Sequence, residues 1–335
     1  YLSSNLGIIK RLILSLIYLS WVRKTNDILN DIKEKKIDIK ILPIEEVDIE
    51  LIYKLGLEAH TAIPSKESFY RVVDKVSLHE HAISHKVPCP KTLEISQLDD
   101  FEIEGPIVLK PKRGMGSEGI KFFNFLDDAK CYIKTLSNPD DVFIQEIISL
   151  EKNVKAGSFL FDKGKLITFY GHERLRTFPE RGGVTINSIS NDDRRIMELG
   201  EKLLGPLNWT GIAMVEFMWS ERLNDYQLIE INPRVWGSIM LSEKCCSNLL
   251  GNYLNLIFEN PTINSLGKNG FYVKWLIPYD IINIVLGKVN ISEYFSADKK
   301  NICLVNISYT NYFRSLLFHL FQFTQLQKIF SKFFA

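Results

Sequence analysis

Apolar residues Ile28, Leu29 and Ile32 share one side of a 3.6-residue period between positions 25 and 36, with charges opposite, which predicts an amphipathic helix. IDIKILPIEEVD then predicts a short strand ending at Pro43, and 49–57 a second helix. Helix alternating with strand points to a small open α/β layer. Positions 74–86 (DKVSLHEHAISHK) read as a helix that Pro88 and Pro90 forbid from continuing. PIVLKP, 106–111, is an apolar run of strand length, followed by the glycine loop RGMGSEG and a second strand, IKFFNF. A helix is expected at 127–136, and VFIQEII, 142–148, is a strand with a polar break at Gln145 and Glu146. AGSFLFDKGKLITFY predicts a hairpin turning at Lys163 and Gly164. A helix at 192–204 ends at Gly205 and Pro206, and GIAMVEFMW and YQLIEIN form two strands joined by SERLND.

Composition narrows the class. At 335 residues the chain exceeds one average domain, and 46% hydrophobic with 24% charged residues is a globular balance. A formal net charge of +1 supplies no global field to recruit nucleic acid, so no nucleic-acid partner is expected. The five cysteines have no metal-ligand spacing, and their odd number argues for reduced thiols in a cytoplasmic protein. The apolar run at 12–22 is shorter than the ~20 residues that span a bilayer, and Arg23 and Lys24 follow it, so it reads as a buried helix. The first residue is Tyr1, not Met, so a truncated N-terminus is expected. The aromatic tail at 311–335, with Arg314, Lys328 and Lys332 spaced apart, leaves three readings open: a core helix, a homodimer interface, or peripheral membrane contact.

The chemistry concentrates in the last strand pair. Residues two apart on a strand share a face, so Glu230, Asn232 and Arg234 project to one side. A hairpin centred near Leu223 sets Glu216 opposite Glu230. Like charges so placed repel, and a divalent cation between them reverses the sign. Two carboxylates and an amide are hard oxygen ligands suited to Mg2+, with Arg234 beside them to stabilise a transferring phosphoryl group. A solvated strand face is the plain alternative.

Upstream, Lys110 ends a strand and precedes Gly114, Gly116, Ser117 and Gly119, a loop able to approach phosphates closely. It lacks the Walker GK[ST] ending. A flap over phosphates and an ordinary hairpin turn both fit the loop taken alone. Gln145 and Glu146 sit where a linker backbone could meet an adenine edge.

In this order the segments Asp74-Lys75, VPCPKT, IVLKPKRGMGSEGI, FIQEII, GGVT, VEF and EINPRVWGS resemble the ATP-grasp superfamily, in its carboxylate–amine ligase branch. The resemblance implies an α+β ATP-grasp fold: a small pre-ATP-grasp α/β domain at 1–73, an N-terminal subdomain at 74–141, a C-terminal subdomain with the metal site at 142–265, and an extension at 266–335. It implies ATP and Mg2+ as cofactors. Lys75 and Lys110 would contact phosphates, with Lys110 and Arg234 the catalytic pair. Gly114, Gly116, Ser117 and Gly119 would cover the nucleotide. Gln145, Glu146 and Ile148 would form the adenine hinge, with Glu151 the candidate ribose acid. Glu216, Glu230 and Asn232 would hold the metal. The implied activity makes an amide from a small-molecule carboxylate and an amine, releasing ADP and phosphate. A kinase acting on a hydroxyl and a nucleotide-binding scaffold are the alternatives.

HERLRTFPERGGVTIN supplies the substrate candidates. Arg174 and Arg176 could clamp a carboxylate in forked geometry and Gly182 and Gly183 could admit it closely, with Ser238 of EINPRVWGS a further substrate candidate; a solvated basic loop fits nearly as well.

Overall fold

The computed structural model describes residues 34, 40–98, 105–114, 119–149, 154–178, 180, 183–294 and 301–305. The apolar run at 12–22, nearly all of the helix at 25–36 and the tail at 311–335 lie outside the described residues. Among the described residues no helix is long and apolar enough to cross a membrane. All five cysteines are free thiols.

Helix α1, Glu46–Leu55, starts three residues earlier than its apolar period suggests. Glu45 and Asp48 form a reciprocal capping box, and the acidic first turn suits the positive end of the helix. Gly56 at φ 68° ends it. The strand expected up to Pro43 is absent from 40–44; there Ile41 N donates to His60 O at 2.8 Å, without a ladder. Helices α2, Lys66–Val73, and α3, Lys75–Ser84, follow head to tail. Asp74 separates them, closing the first and capping the second by accepting from Val76 N and Ser77 N.

Strands β1 (Thr92–Glu94), β2 (Ile107–Pro111), β3 (Lys121–Phe123) and β4 (Val142–Glu146) form an antiparallel sheet ordered β1-β4-β2-β3. Helix α4, Leu126–Ile133, covers it, burying Ala129 and Ile133 against Leu93, Ile107, Leu109 and Ile144. The boundary expected between 141 and 142 therefore falls one strand too early: β4 lies between β1 and β2, inside the first sheet.

The second sheet contains β5 (Val154–Asp162), β6 (Lys165–Phe178), β7 (Val184–Asn191), β8 (Gly211–Ser220), β9 (Asp225–Asn232), β10 (Ser265–Leu266), β11 (Tyr272–Lys274) and β12 (Ile302–Leu304). Its order is β12-β11-β7-β6-β5-β8-β9, with β10 beside β6. Lys163 and Gly164, both at positive φ, make the β5–β6 turn. One face buries Phe159, Val215 and Phe217 against α5, Arg194–Leu204. The other packs Ala156, Leu160, Ile212 and Met214 against α6, Met240–Lys244, and α7, Leu249–Ile257. Glu216 continues the second face, in period with Ile212 and Met214. The start of the expected extension belongs to the large sheet, because β11 pairs with β7 through Tyr272↔Ile189, Val273↔Ser188 and Lys274↔Asn187.

Candidate active site

The β8–β9 hairpin turns through 221–224, and its ladder sets Glu216 directly opposite Glu230. A regular ladder would not do this. Phe217 pairs with Leu228, so the next partner of Glu216 in plain register is Ile229. A β-bulge at Ile229 supplies the extra residue and brings Glu230 across from Glu216.

Glu216 is 3% exposed. Burial pushes its carboxyl up and the Glu230 charge adds to this, while Arg174, whose Nη2 donates to Glu216 Oε1, holds it down. Asn232 Nδ2 donates to Glu230 Oε1 at 3.3 Å, and Lys75 Nζ lies 3.9 Å from Glu230 Oε2. The described residues hold no group of three His, Cys, Asp or Glu side chains placed for a metal ion. The candidate donors are two carboxylates and one amide oxygen, and the opposed carboxylates, Glu216 buried and Glu230 half-buried, are a setting that a divalent cation stabilises. Hard oxygen donors in that number fit Mg2+, which keeps further positions for phosphate oxygens.

Arg234 stands over this hairpin. Its Nη2 donates to Asn232 Oδ1 at 3.1 Å and its Nη1 to Val235 O at 2.9 Å. Its Nε lies 3.6 Å from Glu46 Oε1 and 3.7 Å from Glu45 Oε2. Burial pushes the Glu46 carboxyl up, with Arg234 and Lys75 opposing. Sequence reasoning missed Glu45 and Glu46, since acidic residues at a helix start look like ordinary capping.

Lys75 is the first residue of α3, and its Nζ donates to Gly114 O at 2.9 Å, at the edge of the glycine loop. Gly114 at φ 133° and Gly119 at φ 75° edge that loop. A Cβ on Gly119 would stand 2.9 Å from the Pro111 ring, so the position demands glycine. Gly116 and Ser117 lie outside the described residues, as do Glu151 and Gly182. The Lys110 ammonium donates to Gln145 Oε1 at 2.7 Å. Burial holds its pKa down to about 8, with Glu230, and more weakly Glu216, opposing.

In the expected hinge, Gln145 is 2% exposed, with β1 and β2 on either side, and its side chain accepts from the Lys110 ammonium. Glu146 Oε1 accepts from Lys91 N at 2.9 Å and from Arg222 Nη2 at 2.8 Å. Ile148 follows the end of the β4 ladder.

The substrate clamp needs a larger correction. Arg176 makes a fork with Asp280, Nε to Oδ1 at 2.9 Å and Nη2 to Oδ2 at 2.8 Å, and Asp280 is fully buried. Arg174 reaches Glu216. The two arginines thus meet protein carboxylates. Gly183 immediately precedes β7, and Ser238 is buried just before α6, where its carbonyl accepts from Leu241 N.

Two sheets that meet at paired lysines and a bulged carboxylate hairpin define a nucleotide-gripping class of protein. The family model described as ATP-grasp domain matches residues 72–238, and the chain belongs to the ATP-grasp superfamily. A carbamoyl-phosphate synthase of Methanobrevibacter smithii is 28% identical over 226 residues, covering 62% of this chain and 60% of that protein. The chain thus spans about three-fifths of that relative's length. Among solved structures, a biotin carboxylase complex from Campylobacter jejuni superposes with TM-score 0.57 at 16% identity, covering 73% of this chain and 60% of that one. The biotin carboxylase domain of a Hydrogenobacter thermophilus 2-oxoglutarate carboxylase, in complex with MgADP and bicarbonate, gives TM-score 0.53 at 14% identity, covering 63% and 51%. These likenesses establish the shared fold.

Proposed function

We propose that the protein is an ADP-forming ligase that phosphorylates a small-molecule carboxylate and passes the acyl phosphate to an amine. The observation that carries this reading is the convergence of Glu216, Glu230 and Asn232 with Lys75 and Arg234 at one end of the large sheet.

Bound Mg-ATP would supply the phosphoryl group and a cation that offsets its charge. Glu216, Glu230 and Asn232 would hold the metal. Lys75 and Lys110 neutralise phosphate oxygens at the seam of the two sheets, and Gly114 and Gly119 let the loop between them approach closely. Arg234, steadied by Asn232 and Glu46, stabilises charge on the phosphoryl group in transfer. A carboxylate is a poor electrophile, and phosphorylation gives it a leaving group. Attack by the amine nitrogen on the acyl carbon then forms the C–N bond, breaks the C–O bond to phosphate and releases a proton. The acyl phosphate is water-sensitive, so the reaction requires that water be kept from the reacting groups.

The test is ADP and phosphate release from Mg-ATP across a panel of acid and amine pairs. Release that needs both partners supports the ligase. ADP release with an accumulating phosphate ester and no amine requirement would replace it with a kinase.

A further inference from the structure

Lys110 is the donor end of a buried hydrogen-bond chain that runs to the main chain of Lys75. The ammonium is a pure donor, so Gln145 must turn Oε1 towards it, at 2.7 Å. The Gln145 amide nitrogen then points inward, 2.9 Å from Thr92 Oγ1 and 3.0 Å from His79 Nε2. To accept there, His79 must carry its proton on Nδ1, and Nδ1 faces the Lys75 carbonyl at 2.5 Å. Followed from the Lys110 ammonium, the chain has one consistent polarity, with His79 accepting at Nε2 and donating at Nδ1.

We propose that His79, held as the neutral Nδ1–H tautomer, is a positioning residue that locks the Gln145 amide and thereby fixes Lys110 for the nucleotide phosphates. The inference rests on the proposed nucleotide site. His79 is 2% exposed and Gln145 equally so, which removes water as a competing partner. Burial depresses the imidazole to about 4, and Lys110 and Lys75 add repulsion; the Lys75 and Leu228 main chain oppose the shift. A protonated ring would put a second donor against the Gln145 amide, drive it to flip, and set its NH2 group against the Lys110 ammonium. The chain also ties the two phosphate lysines together: His79 is one helical turn beyond Lys75 on α3, and Lys110 and Gln145 are diagonal neighbours on β2 and β4.

The test combines spectroscopy with a double-mutant cycle. Nitrogen-15 imidazole correlation on the wild-type protein should show His79 protonated on Nδ1. An Nε2–H ring, donating to the Leu228 carbonyl, would overturn the proposal whatever the variants do. Mg-ATP binding by calorimetry should weaken roughly threefold to tenfold in His79→Leu, the worth of one hydrogen bond. His79→Gln places an acceptor near Nε2 and should recover most of that affinity. In a Lys110→Met background, His79→Leu should cause no further loss. An equal loss in both backgrounds, or a lowered Tm with unchanged affinity, makes His79 a packing residue only. Failure of wild type itself to bind Mg-ATP would instead remove the nucleotide site on which the inference rests.

Discussion

Lys75 Nζ and Glu230 Oε2 stand 3.9 Å apart, one from the helix beside the small sheet and the other from the hairpin of the large sheet. In the proposed site this pair is where the phosphate-binding cation would meet the metal-binding anion. Each partner holds the other ready before any ligand arrives.

Replacing Glu230 separates the metal role from the structural one. Glu230→Gln removes one of two opposed carboxylates, so the unliganded protein should keep or gain stability, by about 0.2–1 kcal/mol. Wild type at a Mg-nucleotide concentration about 100-fold above Kd should gain about 2.7 kcal/mol. That gain should vanish in Glu230→Gln, together with turnover. Thermal melts with and without Mg-ATP read both effects, and an undiminished gain would remove Glu230 from the site.

Arg234 and its carboxylate neighbours give a graded series. Arg234→Ala should lower kcat roughly 100- to 1,000-fold, as for loss of a group aimed at developing charge. Glu46→Gln leaves the guanidinium in place but less firmly held, and should lower kcat roughly tenfold while nucleotide KM moves less. Unchanged kcat in Glu46→Gln would reduce the helix α1 contact to a surface ion pair.

The pH dependence of nucleotide use should report Lys110. Burial holds this lysine near 8 in the folded protein, below its ordinary 10.5. Between those values the unfolded chain binds more protons, so the lysine's contribution to stability rises with pH. Phosphate affinity runs the other way, because only the ammonium attracts phosphate. kcat/KM for ATP should therefore fall as pH passes about 8, and Lys110→Arg should push that limb upwards, since arginine stays charged. A wild-type profile that stays flat through this window would contradict the assignment.

Arg176 and Asp280 should behave as structure and not as substrate recognition. Asp280→Ala removes the buried carboxylate from the fork with Arg176 and should destabilise the fold by about 3 kcal/mol. Nucleotide affinity should hold. Preserved stability in denaturant with a raised KM for the acid substrate would restore Arg176 to the substrate pocket.

Local patterns were legible in the sequence where local forces decide. The Lys163-Gly164 turn, the helix that stops before Pro88 and the strands carrying Glu216 and Glu230 follow from side-chain period and backbone preference. The Ile229 bulge was not legible, since one extra residue leaves no mark on an apolar strand. Neither was the pairing of Arg176 with a carboxylate 104 positions away, nor that of Arg234 with Glu46. His79 looked like one more polar residue in a helix, and only its place beneath β4 gives it a partner. The family resemblance supplied the lysines and metal ligands; it did not supply the residues that hold them in place.

Strand β11 bears on how such a protein can be divided. The family match ends at 238, yet beyond β7 the large sheet continues through β11 and β12, and the carboxylate that engages Arg176 comes from position 280. A fragment cut at the end of the match would carry the metal hairpin but leave β7 as an open edge prone to pairing with other chains. The portion that can be transplanted as a working module is therefore longer than the portion that looks familiar.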